Sequence, residues 1–559
     1  MQFMLNFFLT LLLLLSLADP PETLAQQFGK LRGIVTDSTN GEVLVYCNVF
    51  INEINTGAST DQRGMFIINN IPAKKEFEAI ISYVGYKTKT LKFLVNPNQI
   101  KDTTIALQPI SLELNPIVKI GERMVEKNVT DLGLAKISVK QLETLPKGVE
   151  TDVMRSLQYL PGVRSTGDIS SRYYVRGGSG DQNLVLLNGV TVYAPFHSLG
   201  LFSSIDPDMI NSIEFFKGGF SSEYSGRLSS ILNVLTKDGN KNRIGGSASV
   251  SFLTAKGLVE GPIPDGSFIV TTRFSYSDEI TKKFLNNETV PIDFYDVSAK
   301  LNYSSPKIFN DAKFSLFTFL SSDNIKYSDP AREEYSWKNF LLDFEWIQIY
   351  DAPFFSRLGI SSSNFEGKII PKGSNLKPLN NEVKDVTVSF DLNAVLDSKD
   401  EIDFGLMIKM LDTQLLTESK TGIESQLSKF AGNISIYAKY KLLRYEMFGL
   451  DFGSRLNVTG LNSNSAGTFE PRISFTFRPI EQLAIKGSAG IYLQEVTAVS
   501  DEDEIISIFD PWIIIPDYLN PAKGISYSAG IEYELSRESS FQIEGYYRNS
   551  KDIPVINQE

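Results

Sequence analysis

At 559 residues the chain exceeds what one hydrophobic core usually supports, and 21% charged with 42% apolar residues describe folded domains rather than a disordered chain. The 54 basic against 66 acidic residues give a net charge of −12, which excludes the cationic surface that a nucleic-acid partner requires. A single cysteine, Cys47, and a single histidine, His197, leave no intramolecular disulfide, no ordinary zinc site and little of common enzyme chemistry, so no catalytic residue, metal or cofactor is expected.

Leu5 to Leu17 form an apolar run followed by small residues, which reads as an export signal over residues 1–25. Cleavage fits after Ala18 or after Ala25, and no Lys or Arg precedes the run. The run is shorter than the roughly 20 residues a spanning helix needs. No later segment approaches that length, so any membrane crossing has to be made by a closed barrel, the only other way to satisfy every backbone group in lipid. Between about Lys30 and Leu107 come short β-rich runs such as Leu31 to Val35, Cys47 to Ile51, Met65 to Ile68 and Ala79 to Val84. Turn punctuation separates them, including Asp37-Ser38-Thr39-Asn40-Gly41 and Asp61-Gln62-Arg63-Gly64. The spacing predicts a sandwich of about seven strands over residues 29–110, with Cys47 packed as a small buried hydrophobe.

Residues 111–128 contain Leu114-Asn115-Pro116-Ile117-Val118-Lys119-Ile120, an apolar stretch beside a proline, then a charged linker from Gly121 to Lys127. Such a β-prone segment between folded units can add as a strand to a partner, or it can be the last strand of the sandwich. From 129 to 240 the pattern mixes α and β. Val153, Leu157 and Leu160 recur at helical spacing and predict a helix over Val149 to Leu160, stopped by Pro161-Gly162. Asn183 to Leu187 and Ile231 to Leu235 read as buried strands, and the pairs Gly177-Gly178 and Gly218-Gly219 as tight turns with close backbone approach. Val175-Arg176-Gly177-Gly178-Ser179-Gly180 lacks the Lys-Ser/Thr ending of a phosphate loop. His197 reads as a hydrogen-bonded structural residue, while Arg176 and Arg227 read as ordinary solvated charges.

Beyond Arg243 the text alternates with period two: Val297, Ala299, Leu301 and Tyr303 against Asp296, Ser298, Lys300 and Asn302, and Val386, Val388, Phe390 and Leu392 against Asp385, Thr387, Ser389 and Asp391. A soluble sandwich produces the same alternation. At roughly 24 residues per strand and connection the region holds about thirteen strands, fewer than the 22 of plugged transporters, and the final Asp552 to Glu559 lacks a terminal aromatic. A partial barrel over 241–559 is the expectation. With the resemblance carried by the blocks that follow, the fold class is mainly β: a β-sandwich domain, a small α+β plug domain, then part of an antiparallel transmembrane β-barrel.

Family resemblance is carried by specific blocks. Gly33-Ile34-Val35-Thr36-Asp37, Gly41-Glu42-Val43-Leu44, Thr56 to Phe66 and Ser82-Tyr83-Val84-Gly85-Tyr86-Lys87 resemble the carboxypeptidase-regulatory-like domain, an accessory module without peptidase chemistry. Leu114 to Ile120 resembles a TonB box. Asp152-Val153-Met154-Arg155-Ser156-Leu157-Gln158-Tyr159-Leu160-Pro161-Gly162-Val163 resembles the opening of the TonB-receptor plug. Tyr174 to Gly178, Asp181 to Val190 with Asn188-Gly189, Ile213 to Phe220 and Tyr224 to Ser230 then follow in that family's order. Ile515 to Lys523 with Tyr527 to Leu535 resembles a mid-barrel block, although Ala522 stands where the family commonly has glutamate, which puts a plug-locking carboxylate there in doubt.

The resemblance implies plug residues Arg155, Pro161, Gly162, Arg176, Gly177, Gly178, Asp181, Asn188, Gly189, Gly218, Gly219 and Arg227, with the two arginines 176 and 227 as ion pairs that lock plug to barrel wall. It also implies outer-membrane lipid around the barrel and the TonB-ExbB-ExbD energy-coupling complex as partner. The ligand would be small, a siderophore, glycan, cobalamin or peptide, and a surface lipoprotein could cap the barrel. Active uptake is the expected function. The alternative is a surface binding or adhesion protein without transport, against which the plug and box-like segment argue.

Overall fold

The computed structural model describes residues 28–83, 85–110, 130, 133–138, 142, 150–165, 170–276, 293–304, 311–327, 332–350, 352, 354–371, 378–396, 400–418, 424–445, 447–499, 510–535 and 539–554. The signal segment 1–25 and the box-like Leu114 to Ile120 lie outside the described residues.

Seven strands build the first domain: β1 (Phe28–Asp37), β2 (Asn48–Ile51), β3 (Thr56–Ser59), β4 (Met65–Pro72), β5 (Glu76–Ser82), β6 (Lys89–Leu94) and β7 (Ile100–Leu107). They form two sheets, β4-β1-β7 and β3-β2-β5-β6. Period-two alternation sends Leu31, Val35, Val49, Ile51, Phe66, Ile68, Phe77 and Ile81 into one shared core. The turn before β4 is closed by Asp61, whose carboxylate accepts from Arg63 N at 2.8 Å and Met65 N at 3.0 Å. Cys47 is fully buried in that core, its Sγ 3.4 Å from the Ser82 carbonyl oxygen.

The second domain contains β8 (Leu134–Ser138), helix α1 (Val153–Ser156), β9 (Val163–Ser165), β10 (Tyr173–Val175), β11 (Asn183–Leu187), β12 (Val190–Thr191), β13 (Phe196–His197), β14 (Phe202–Ser203), β15 (Ile210–Phe216) and β16 (Ser230–Thr236). Its central sheet runs β12-β11-β16-β15-β8. The helix is shorter than the spacing predicts. Asp152 caps it by accepting from Arg155 N at 2.8 Å, so it cannot begin earlier, and Leu157–Tyr159 tighten to a 3-10 turn before Leu160 becomes extended ahead of Pro161. Between β11 and β12, Asn188 and Gly189 both take positive φ, 52° and 85°, the turn that matches the twist of a two-residue hairpin.

The rest of the chain winds into one antiparallel sheet. Its first members are β17 (Gly245–Val250), β18 (Thr254–Ile263), β19 (Gly266–Ser275), β20 (Phe294–Tyr303), β21 (Ala312–Ile325), β22 (Glu334–Ile349) and β23 (Phe354–Ile370). Next come β24 (Leu379–Val395), β25 (Glu401–Glu418), β26 (Glu424–Leu442), β27 (Phe448–Asn457), β28 (Thr468–Ile480) and β29 (Leu483–Gln494). After a separate hairpin, β30 (Val496–Ala498) and β31 (Trp512–Ile514), the sheet resumes with β32 (Ala522–Glu534) and β33 (Ser540–Lys551). Among the described residues the sheet therefore has fifteen strands, not about thirteen. The expectation overestimated the connections: β18–β19 and β28–β29 turn within two residues, since Ile263 pairs Gly266 and Ile480 pairs Leu483.

Burial in this sheet is inverted relative to a soluble sandwich. On β20, Asp296 and Asn302 are 0% and 3% exposed, while Tyr295 and Leu301 are 48% and 43% exposed. Phe274, Phe390, Phe404 and Ile473 repeat the outward apolar face. Only a hydrocarbon solvent makes that arrangement favourable, so the alternation is that of a membrane barrel. The second domain sits inside it as a plug. Val185, Leu187, Ile213 and Phe215 share one apolar core with Ile269, Phe317, Phe319 and Leu341 of the wall, each such side chain contributing about 1.5–3 kcal/mol by burial. Among the described residues no helix is long and apolar enough to cross a membrane.

Candidate functional site

The region with functional geometry is the boundary between plug and wall, where inward-facing polar side chains of the barrel meet plug backbone. Arg273 of β19 donates to Asp296 at 2.7 Å and to the Ser203 carbonyl at 2.7 Å. Arg472 of β28 donates to the carbonyl oxygens of Ser221 and Tyr224 at 2.5 and 2.6 Å and lies over the rings of Phe220 and Tyr492. Arg455 of β27 reaches the carbonyls of Ser222 and Glu223. Each buried guanidinium supplies several donors at fixed angles, which suits a rigid set of carbonyl acceptors. These three arginines carry much of the boundary, and sequence reasoning missed them. Their signal was an arginine among the small and polar residues that alternate with apolar ones along each strand.

Arg176 follows β10, takes φ of 49° and reaches the wall: its guanidinium pairs with Glu544 of β33 and donates to Ser528 Oγ at 2.8 Å. Lys217 Nζ stands 3.7 Å from the same carboxylate and donates to the Pro161 carbonyl at 3.2 Å. Burial and the neighbouring Arg176 lower its ammonium to about 8. Glu544 thus supplies the wall carboxylate that Ala522 cannot; Ala522 itself is buried against Phe216, Phe220 and Leu228. Gly178 passes so close to the wall that a Cβ there would meet Ser229 Oγ at 2.5 Å and Arg548 Nη2 at 2.8 Å. Gly162, Gly177, Gly218 and Gly219 occupy the adjoining turns.

Arg227 behaves differently from the expected ion pair. It is buried, donates to the Gly226 and Val496 carbonyls at 2.8 and 3.3 Å, and stacks 4.8 Å from the Trp512 ring. Burial pushes its guanidinium below the ordinary value, with Tyr193, Asp181 and Asp385 opposing. The hairpin β30-β31 folds inward onto the plug at this point. Trp512 Nε1 donates to the Tyr193 carbonyl at 3.0 Å, and Asn381 of β24 exchanges hydrogen bonds of 2.8 and 2.9 Å with the Trp512 backbone. Asp181 accepts from Thr497 Oγ1 at 2.7 Å and Gln494 Nε2 at 3.0 Å. Arg155 stays within the plug, donating to the Leu201 carbonyl at 2.5 Å. Asn188 closes its turn on Thr236, donating to Oγ1 at 2.8 Å.

His197 is held by two wall carboxylates, Asp323 at 2.5 Å from Nδ1 and Asp296 at 3.3 Å from Nε2, and stacks on Phe294 at 4.2 Å. Burial alone would lower the imidazole pKa; Asp323 and Asp296 outweigh it and hold the group above 6.5. Its charged form therefore stabilises the fold most fully below the unfolded value, and that contribution is lost as pH rises through the folded value. His197→Gln should lower the melting temperature of the detergent-solubilised protein, by the equivalent of roughly 3–5 kcal/mol for a broken buried pair. The gap to wild type should narrow as pH is raised above 6.5; a gap that does not change with pH would contradict the charged assignment. No group of three or more metal-type ligands occurs among the described residues.

At one end of the barrel the sandwich closes against plug and wall. Glu42 accepts from Asp238 N at 2.8 Å, Gly239 N at 3.2 Å and Asn211 Nδ2 at 2.8 Å, and burial with the nearby Asp238 carboxylate pushes it up to about 6. Tyr46 and Gln62 both donate to Glu214 of the plug.

A family model described as "CarboxypepD_reg-like domain" matches residues 31–118, and one described as "TonB-dependent Receptor Plug Domain" matches residues 133–229. No curated protein matches the chain's sequence. Among solved structures, the siderophore receptor PirA from Pseudomonas aeruginosa is 14% identical with a TM-score of 0.55, covering 75% of this chain and 74% of its own. The ferric enterobactin receptor PfeA from Pseudomonas aeruginosa, in a mutant form, is 13% identical with a TM-score of 0.58, covering 76% and 72%. The outer membrane transporter YddB from Escherichia coli is 11% identical with a TM-score of 0.53, covering 72% and 67%. At these identities the structural likeness shows the plug-in-barrel fold alone, and the two family models show that the chain carries a carboxypeptidase-regulatory-like domain followed by a TonB-dependent receptor plug domain.

Proposed function

We propose that this plug-gated outer-membrane transporter takes up a small ligand actively, powered by the TonB-ExbB-ExbD complex acting on Leu114 to Ile120. The observation that carries the reading is the order of parts. A plug cemented inside the wall by Arg176, Arg273, Arg455 and Arg472 cannot be displaced by thermal motion alone, since each buried charge left without its partner costs roughly 3–5 kcal/mol. A β-prone segment stands immediately before that plug, where a partner strand can pair with it and pull. In this reading the sandwich lies in the periplasm, and β30 and β31 lie at the opposite, outer end of the barrel, where ligand arrives. The solved neighbours are siderophore and ferric enterobactin receptors by name; for this chain a ferric siderophore, glycan, cobalamin or peptide all fit a loop-borne site. The plug and its preceding segment favour transport over surface adhesion.

The test is accumulation by cells. Cells carrying the chain, with and without residues 114–120, are given labelled ferric siderophores, cobalamin, glycans and peptides in turn. One ligand class should accumulate only with the intact segment, both proteins being present in the outer membrane. Equal accumulation with and without the segment would show that energised uptake is the wrong reading.

A further inference from the structure

Two domains fill or face the lumen, and they are attached in physically different ways. The plug shares apolar cores with the wall, as Phe215 with Phe317 and Leu184 with Tyr492. The sandwich keeps its apolar core entirely to itself, since every member of that core lies between Leu31 and Leu107. What joins it to the rest is polar. Arg32 donates to the Tyr350 carbonyl at 2.5 Å and Asn69 to the Leu396 carbonyl at 2.8 Å, both on connections between wall strands. Arg63 lies 4.0 Å from the Phe355 ring centroid, and Lys136 of the plug lies 4.1 Å from that of Tyr46. Glu42 satisfies the backbone N–H groups of Asp238 and Gly239 where the plug runs into the first wall strand.

Between sandwich, plug and wall lies a cavity of about 890 Å³, bounded by Tyr46 and Arg63 on one side, Glu214 and Asn233 above, and Ser315 and Asp391 of the wall. Its lining carries both charge signs and tyrosine hydroxyls, a surface for a hydrated polar solute rather than a packed core. An interface made of hydrogen bonds and cation–ring contacts, with no shared apolar core, is the kind across which domains move relative to one another. The box-like segment begins at Leu114, directly after the sandwich's last strand, so one pull acts on both domains.

We infer that the sandwich is a second gate, docked beneath the plug across the periplasmic mouth, and that the cavity is a transit chamber whose periplasmic side the sandwich covers until it undocks. The inference rests on the uptake reading only for the force that opens the gate. Docking itself is a property of the resting protein. A solute passing the plug would enter a polar chamber still covered below by the sandwich, which separates plug opening from release into the periplasm.

The test needs neither ligand nor energy source, so its outcome is independent of the uptake experiment. Ser315→Cys places a thiol in the chamber wall, and Cys47, the only natural cysteine, is fully buried in the sandwich core and reports whether that domain stays folded. The full-length protein in detergent is treated with a hydrophilic maleimide. Ser315→Cys should label slowly alone, and about tenfold faster or more when Glu42→Ala and Asn69→Asp, singly or together, remove docking contacts worth at least one decade in equilibrium constant. Cys47 should remain unlabelled throughout. Labelling of Ser315→Cys at one rate in all these backgrounds would overturn the gate, because the sandwich would then not be what closes the chamber.

Discussion

Replacing Arg176 with alanine should loosen the plug more than any other single change within it. The substitution removes the hydrogen bond to Ser528 and leaves the half-buried Glu544 with Lys217 at 3.7 Å. Loss of one member of a fully buried pair costs roughly 3–5 kcal/mol, and this half-buried pair costs less. Cells bearing the variant should become sensitive to a glycopeptide antibiotic too large for general porins, and the purified protein should melt earlier. Arg176→Lys should rescue only part of the effect, because an ammonium cannot serve Glu544 and Ser528 with the fixed fork of a guanidinium. A double-mutant cycle with Glu544→Gln should show a coupling of about 0.5–3 kcal/mol; additive effects would mean that the pair does not hold the plug.

The second large effect concerns the inward hairpin. Trp512 is packed against Tyr193, with ring centroids 5.5 Å apart, carries Arg227 on its face, and is pinned through its backbone to Asn381. Trp512→Ala should cost about 3–5 kcal/mol and free β30-β31 from the plug. Amide hydrogen exchange in residues 496–498 and 512–514 should then accelerate by orders of magnitude while the sheet of β21 to β26 stays protected. Trp512→Phe keeps most of the packing and loses only the bond to the Tyr193 carbonyl, so a smaller loss of about 1 kcal/mol is expected. Unchanged exchange in Trp512→Ala would show that the hairpin is held by Thr497 on Asp181 and Asn381 on the backbone instead of by the indole.

These effects depend on pairings that local sequence does not encode. The sequence by itself determined the seven-strand sandwich, because Leu31, Val35, Val49 and Ile51 alternate between turn residues that leave few other conformations. It also determined the plug's hairpin at Asn188-Gly189, whose residues suit the positive φ the turn requires, and the wall strands, whose alternation has a period of two in any register. Helix length and strand number were less legible. A capping carboxylate at Asp152 and two-residue turns act over distances shorter than a periodic pattern resolves. Alternation also gives two faces without saying which one is wet. Only enclosure of the plug decided that Asp296, Asn302 and Arg273 point inward and Tyr295 and Leu301 outward. Likewise, Arg176 meets Glu544 across 368 residues of chain, and Asn381 meets Trp512 across 131. Such contacts follow from strand register accumulated around the barrel, in which each neighbour fixes the next, so the partners become adjacent only when the whole wall is in place.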